Sequence, residues 1–277
     1  MTAPHSHILE GAPRLHYLVW NPHGSRTIIL LHGNSANAWW WEHVARVIAP
    51  EYRLLALDQR GHGDSEWVRP AAYSPSDYAN DIARFVAHST TGAEKPLVVG
   101  HSMGGLNVLA FARNHPESAR GAMAIDVAVT SSRGRDRYLR RLRALPVVAY
   151  PDLVTAKARF RLMPKEGGIA DEVVREIAEK SLARTDEGRW TLKFDRDSFL
   201  GGDGLAVLET IKEIRIPTML VRAEHSRIMT AEGAEQARAS NPNARLVTIA
   251  DAHHHVILEK PEAVARVIEE FAASLWR

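Results

Sequence analysis

Short apolar runs rich in β-branched residues recur along the chain, separated by segments with helical spacing. This is the pattern of a mostly parallel sheet covered by helices on both faces. The runs at 27–31, 53–57, 97–99, 122–125, 218–222 and 246–249 are predicted strands. After Pro75, the residues Tyr78, Ile82, Phe85 and Val86 fall on one helical face, and after Pro261 so do Val264, Ile268, Phe271 and Leu275. Both segments are therefore predicted to be amphipathic helices packed on the sheet. From about Val127 to Gly204 the alternation stops and helical, Arg-rich text such as 133–143 and 171–182 replaces it, without clear strands. The expected organisation is an α/β core over 1–126 and 205–277 carrying an inserted helical cap over 127–204. A cap in that place would cover the C-terminal edge of the sheet, where open α/β sheets bind ligands.

Composition narrows the function classes. At 277 residues the chain is long enough to bury a large core, and 35 Lys and Arg against 33 Asp and Glu leave a formal charge of +2. No long basic run tracks a phosphate backbone, so nucleic acid is not an expected partner. The opening MTAPHSHILEGAP lacks an apolar export core, and no apolar stretch approaches the roughly 20 residues of a membrane helix. The expectation is a cytoplasmic protein with a small-molecule substrate and no membrane partner, with room left for a homodimer. With no cysteine, thiolate nucleophiles, disulfides and Cys-ligated metals are excluded.

The sharpest local signal is Gly100-His101-Ser102-Met103-Gly104, a G-x-S-x-G pentapeptide with an apolar run before it and an Ala/Leu-rich helical run after it. A serine on a tight strand-to-helix turn exposes its hydroxyl, and the flanking glycines let neighbouring backbone approach. Ser102 is the candidate nucleophile. A base must reach it, and His253, His254 and His255 stand together just past the last predicted strand. Three successive residues do not readily point at one ion, and no H-E-x-x-H pattern is present, so a metal site is not expected.

Taken together, His32-Gly33-Asn34, the run Asp58 to Ser65, the GHSMGG turn and the final histidines before Leu258-Glu259-Lys260-Pro261 resemble the α/β-hydrolase family over nearly the whole chain outside the cap. The resemblance implies an α/β-hydrolase fold and a Ser–acid–His triad without a cofactor. In the family's H-x-x-x-x-E-x-P ending the catalytic histidine stands five residues before the glutamate, which selects His254. It also implies an oxyanion hole from the backbone N–H groups of Asn34 and Met103.

The acid departs from the usual pattern, because the segment after the penultimate strand reads Ala223-Glu224-His225-Ser226 and Ser226 carries no charge. Some relatives carry the acid at the end of the strand after the nucleophile helix, where this chain has Asp126. Asp126 is favoured, with Glu224 as its rival and Asp251 too near His254 along the chain. The Asp58 to Ser65 run is read as scaffold. Among Trp39, Trp40 and Trp41, Trp39 is assigned to the substrate pocket, as is His101. Arg133, Arg135, Arg137, Arg140, Arg141 and Arg143 would draw in an anionic substrate, although charged cap helices are more often simply solvated.

Carboxylic-ester cleavage, extending to lactones and thioesters, is the expected activity. C–C bond hydrolysis, cofactor-free oxygenation and ligand binding without turnover are the alternatives on the same fold. Dehalogenase and epoxide-hydrolase chemistry is disfavoured, because those relatives place Asp where Ser102 stands.

Overall fold

The computed structural model describes residues 3–130, 133–203 and 206–277. Among the described residues ten strands form: β1 (His5–Leu9), β2 (Leu15–Trp20), β3 (Arg26–Leu31), β4 (Tyr52–Leu57), β5 (Leu97–His101), β6 (Gly121–Ile125), β7 (Leu182–Arg184), β8 (Trp190–Leu192), β9 (Thr218–Ala223) and β10 (Ala244–Ile249). The helices are α1 (Glu42–Ala45), α2 (Pro75–Ser89), α3 (Met103–Asn114), α4 (Arg133–Ala144), α5 (Leu153–Arg159), α6 (Asp171–Lys180), α7 (Val207–Glu213), α8 (Ala231–Ala239), α9 (Val256–Glu259) and α10 (Pro261–Leu275). Eight strands join one sheet in the order β1-β2-β4-β3-β5-β6-β9-β10. Within it β2 runs antiparallel to both neighbours, and every other pairing is parallel. This is the α/β-hydrolase fold.

Burial on both faces explains why the central strands read as unbroken apolar runs. Along β3, Ile28 and Leu30 pack with Trp41, Val44, Ile268 and Phe271. Their neighbours Ile29 and Leu31 face the other way, onto Ile82, Phe85, Val108 and Phe111. The helix α2 starts where the sequence predicts: Ser74 caps it in a reciprocal capping box with Asp77, Pro75 opens the first turn, and Tyr78, Ile82, Phe85 and Val86 are buried. In α10, Val264, Ile268 and Phe271 make the corresponding buried stripe.

Two regions differ from the sequence reading. Strands β1 and β2 were not anticipated; four of the five residues of edge strand β1 are exposed, so it carries no apolar run to detect. Between β6 and α7 the chain forms α4, α5, α6 and a turn of 3₁₀ helix at Arg196–Asp203, but also the antiparallel pair β7–β8, separate from the large sheet. Three-residue strands are too short to show a period, which is why that text reads as helix and loop alone. This segment is tied to the loop after β4 by backbone bonds from Gly63 N to Lys193 O (2.8 Å) and from Asp195 N to Gly61 O (2.7 Å). The expected boundary at 204 and 205 lies outside the described residues. No helix among the described residues is long and apolar enough to cross a membrane.

Candidate active site

Ser102 sits between β5 and α3 with φ 54° and ψ −120°, a conformation that L residues rarely adopt and that a surrounding structure must enforce. The enforcement is steric. A Cβ on Gly100 would come within 2.3 Å of the Gly104 backbone, and one on Gly104 within 2.4 Å of the Leu31 carbonyl oxygen. The two glycines thus let α3 pack directly on β3 and β5, and the backbone between them bends sharply at the serine. Ser102 N–H donates to Ile125 O at 2.8 Å, anchoring the turn to β6.

Asp126 is the first residue past β6 and is fully buried, with a positive φ of 50°. Its backbone N–H donates to Val221 O at 2.7 Å, so the adjoining strand β9 holds it. His254, 4% exposed, presents Nδ1 to Asp126 Oδ2 at 2.7 Å. The Ser226 hydroxyl donates to the same oxygen, and Ala223 N–H donates to Oδ1 at 3.1 Å. Ser226 therefore occupies the usual acid position and bonds the aspartate that stands one strand over. In the sequence Ser226 reads as a missing carboxylate, and its hydroxyl is the signal that points to this role.

Electrostatics poise this pair. Burial raises the Asp126 carboxyl to about 6, against the hydrogen bonds from Ser226 and Ala223 that favour its charged form. Burial lowers the His254 imidazole to about 4. Near pH 8 the pair is a carboxylate beside a neutral ring. A carboxylate only accepts, so the ring proton stays on Nδ1 and the lone pair is on Nε2. Among the described residues Ser102 Oγ has no hydrogen bond to His254, and both line one cavity of about 600 Å³. Such contacts commonly tighten only when substrate is bound.

Asn34 and Met103 flank the same point. Gly33 lies so close that a Cβ there would stand 3.2 Å from Ser102 Cβ, and the Asn34 amide reaches Met103 Sδ at 3.5 Å. Met103 opens α3, whose first-turn N–H groups have no carbonyl partner within the helix. His101 also lines the cavity, but its Nε2 lies 2.7 Å from the His254 carbonyl oxygen and fixes the histidine loop. His253 bonds Glu259 through Nδ1 at 3.0 Å, and His255 Nε2 lies 3.1 Å from Pro164 O, so each histidine of the trio has a distinct partner.

One placement differs from expectation. Trp40, not Trp39, is at the cavity wall; the ring of Trp39 lies outside it, with Lys180 Nζ 4.1 Å from the ring centre. Glu224 stands on the surface beside His225 and Asp251, where it accepts from Asp251 N–H at 2.9 Å. Helix α4 contributes Tyr138, Leu139 and Leu142 to the cavity, and Leu145 joins them from just past the helix end. Its Arg137, Arg140, Arg141 and Arg143 are exposed, and the side chains of Arg133 and Arg135 lie outside the described residues. The arginines that do line the cavity are Arg161 and Arg196, which the sequence did not single out.

The comparisons agree with this architecture. A family model described as the alpha/beta hydrolase family matches residues 28–267. A 2-(acetamidomethylene)succinate hydrolase of Mesorhizobium japonicum is 25% identical, over 88% of this chain and 87% of its own length. An esterase of Mycobacterium tuberculosis is 26% identical, over 87% of this chain and 80% of its own. Among solved structures, an E-2-(acetamidomethylene)succinate hydrolase superposes with a TM-score of 0.82 at 23% identity, covering 97% of this chain and 98% of that one. With the family profile spanning the sheet from β3 to the last helix, the chain belongs to the alpha/beta hydrolase family.

Proposed function

We propose that the protein is a serine hydrolase that cleaves a carboxylic ester, or a related lactone or thioester, through Ser102, His254 and Asp126. The observation that carries this reading is the buried His254–Asp126 pair opening on the same cavity as a strained elbow serine. In the reaction, Ser102 Oγ attacks the carbonyl carbon while His254 Nε2 takes the hydroxyl proton. The resulting imidazolium keeps its Nδ1–H on the Asp126 carboxylate, and the oxyanion accepts from the N–H groups of Asn34 and Met103. Collapse expels the alcohol, which takes the proton from His254 and leaves an acyl-serine. Water then repeats the sequence, with His254 again as base, and releases the acid and free Ser102. The reaction requires no cofactor. The segment 127–204 acts as a cap that walls the acyl pocket with α4 and with residues 160–164 after α5, excluding bulk water during turnover.

The test is hydrolysis of 4-nitrophenyl butyrate by wild type and Ser102→Ala, with fluorophosphonate labelling followed by peptide mass spectrometry. Label on Ser102 and a loss of roughly 10⁶ in kcat on its removal are expected. Turnover that survives in Ser102→Ala would sink the reading, and label without turnover would point to a protein that holds its ligand.

A further inference from the structure

Among the described residues, the formal charges on the cavity wall are two guanidiniums. Among the described lining residues Arg161 and Arg196 are cationic and none is a carboxylate. The histidines that share the wall, His101, His254 and His255, are all pushed by burial to about 3 or 4 and are neutral at physiological pH. Most of the rest is apolar, including Leu139, Phe160, Leu162, Phe194 and Phe199.

Neither arginine is neutralised by its own fold. Arg161 donates from Nη1 to Ala158 O at 2.8 Å and Phe160 O at 2.6 Å, and Arg196 donates from Nη1 to Leu142 O at 2.8 Å. Among the described residues neither has an ion pair, and in each the edge formed by Nε and Nη2 has no protein acceptor. That edge is the one that receives a carboxylate through two parallel hydrogen bonds. Surface arginines commonly stay unpaired in water; these two instead border an apolar cavity, where an anion would meet a lower dielectric than in solvent.

A second observation points the same way. Ser198, 1% exposed, and Tyr78, 2% exposed, both line the cavity, and among the described residues their buried hydroxyl oxygens have no hydrogen-bond partner. An unpaired buried hydroxyl costs roughly as much as a lost hydrogen bond, and a native wall rarely carries two unless a ligand completes them. Ser198 lies two residues from Arg196 in the same 3₁₀ turn.

We infer that the substrate of this site carries a carboxylate in addition to its scissile ester, received by Arg196 with Arg161 at the exposed part of the wall. Ser198 and Tyr78 supply hydroxyl groups to the same polar substrate. The substrate class is thus the half-ester of a dicarboxylic acid or the ester of a hydroxy- or phenolic acid. This deepens the ester-hydrolase reading and rests on it.

The experiment pairs charged with neutral esters. Mono-4-nitrophenyl glutarate is compared with 4-nitrophenyl pentanoate, and 3-carboxyphenyl butyrate with phenyl butyrate, so the charge is tried on the acyl side and on the alcohol side. At low ionic strength at least one charged member should lead its neutral partner by about tenfold or more in kcat/KM. Arg196→Gln should bring that ratio below about twofold, while Arg175→Gln, an exposed arginine of α6 outside the cavity, should preserve it. Binding of monoethyl glutarate and of ethyl pentanoate to Ser102→Ala, by calorimetry, reads the same preference without turnover. Serine-dependent hydrolysis of the neutral esters with no preference for either charged partner overturns the inference and leaves the hydrolase reading standing. Preferential binding of the charged ester, lost in Arg196→Gln but unaccompanied by turnover of any ester, overturns the hydrolase reading instead.

Discussion

Among the described residues two imidazole–carboxylate pairs are fully buried, and in each the aspartate is the first residue past a strand of the large sheet. Asp126 follows β6 and bonds His254 at 2.7 Å; Asp58 follows β4 and bonds His16 at 2.7 Å. The second pair even ends on a serine, since His16 Nε2 lies 2.8 Å from Ser6 Oγ. Ser6, His16 and Asp58 thus form a continuous chain of hydrogen bonds, whereas Ser102 shares a cavity with His254 without bonding it, and the surroundings separate the two further. Ser6 is an exposed residue in the extended edge strand β1, whereas Ser102 is held in a strained turn at a cavity wall. Asp58 also accepts from Ala38 N at 2.6 Å and Asp64 N at 2.9 Å, so it ties together three stretches of chain. Burial alone would raise the Asp58 carboxyl, but the hydrogen bond and charge of His16 outweigh it and hold the group below the usual carboxylate range. Asp126 goes the other way, to about 6. One pair is built to stay ionised and bind the scaffold, and the other to sit close to its titration point on the cavity that Ser102 lines.

The largest expected contrast is between Asp126→Asn and Asp58→Asn. Asp126→Asn should lower kcat by roughly 10⁴, because the imidazole loses both its tautomer and its counter-charge. Its thermal stability should hold or rise. A folded carboxyl at about 6 lies above its unfolded value near 4, so its contribution to stability is present at low pH and is lost as pH rises through 6. Replacing it removes a group whose ionisation opposes folding at pH 8. The same shift sets the acid limb of activity: kcat/KM in wild type should fall as pH drops through about 6, and the residual activity of Asp126→Asn should lack that limb. A loss below tenfold in kcat would remove Asp126 from the proposed triad.

Asp58→Asn should do the reverse. Its depressed carboxyl contributes stability above the unfolded value near 4, and that contribution is lost as pH falls through the folded value. The asparagine amide cannot accept from His16 Nδ1 and Asp64 N–H where Oδ2 did, which leaves buried donors facing a donor. A destabilisation of about 3 kcal/mol is expected at pH 8, seen as a Tm lower by roughly 6–12 °C. Turnover per folded molecule should fall by less than tenfold. A large loss of kcat at unchanged Tm would place the second pair in the chemistry.

The contrast also marks what a sequence discloses. The elbow around Ser102 is legible because its signature is local: two glycines and a serine between an apolar run and a helix permit the close approach to β3 and β5 that holds the turn. Asp126 is legible as a carboxylate ending a strand buried on both faces, where a charge needs a partner. Trp39 and Trp40 are not separable in advance, because both belong to one 3₁₀ turn and its orientation on the sheet decides which ring meets the cavity. Arg161 and Arg196 are likewise invisible among 35 cationic residues until the chain folds, since their meaning comes from which wall they share and from the lack of carboxylates among its described residues. The triplet strands β7 and β8 are too short to leave a pattern. Local strain is written in local text, and shared surfaces are not.

The smallest effect, and the finest probe of the comparison, lies at Ser226. Its hydroxyl donates to Asp126 Oδ2 and accepts from Ile228 N–H at 3.0 Å, so it holds charge on an aspartate that burial is driving toward neutrality. Removing the hydroxyl in Ser226→Ala takes away a charge-assisted bond worth about 1.5 kcal/mol, close to one unit of pKa. The carboxyl then protonates more readily, and the acid limb of kcat/KM should move from about 6 toward about 7. Activity at pH 9, where both proteins hold Asp126 ionised, should differ by only a few-fold, while at pH 6.5 the gap should widen to about tenfold. A uniform loss at every pH would mean that Ser226 acts by shaping the loop after β9 and not through the charge on Asp126. A limb that moves while the high-pH plateau holds would tie the serine at the usual acid position to the electrostatics of the acid that replaced it.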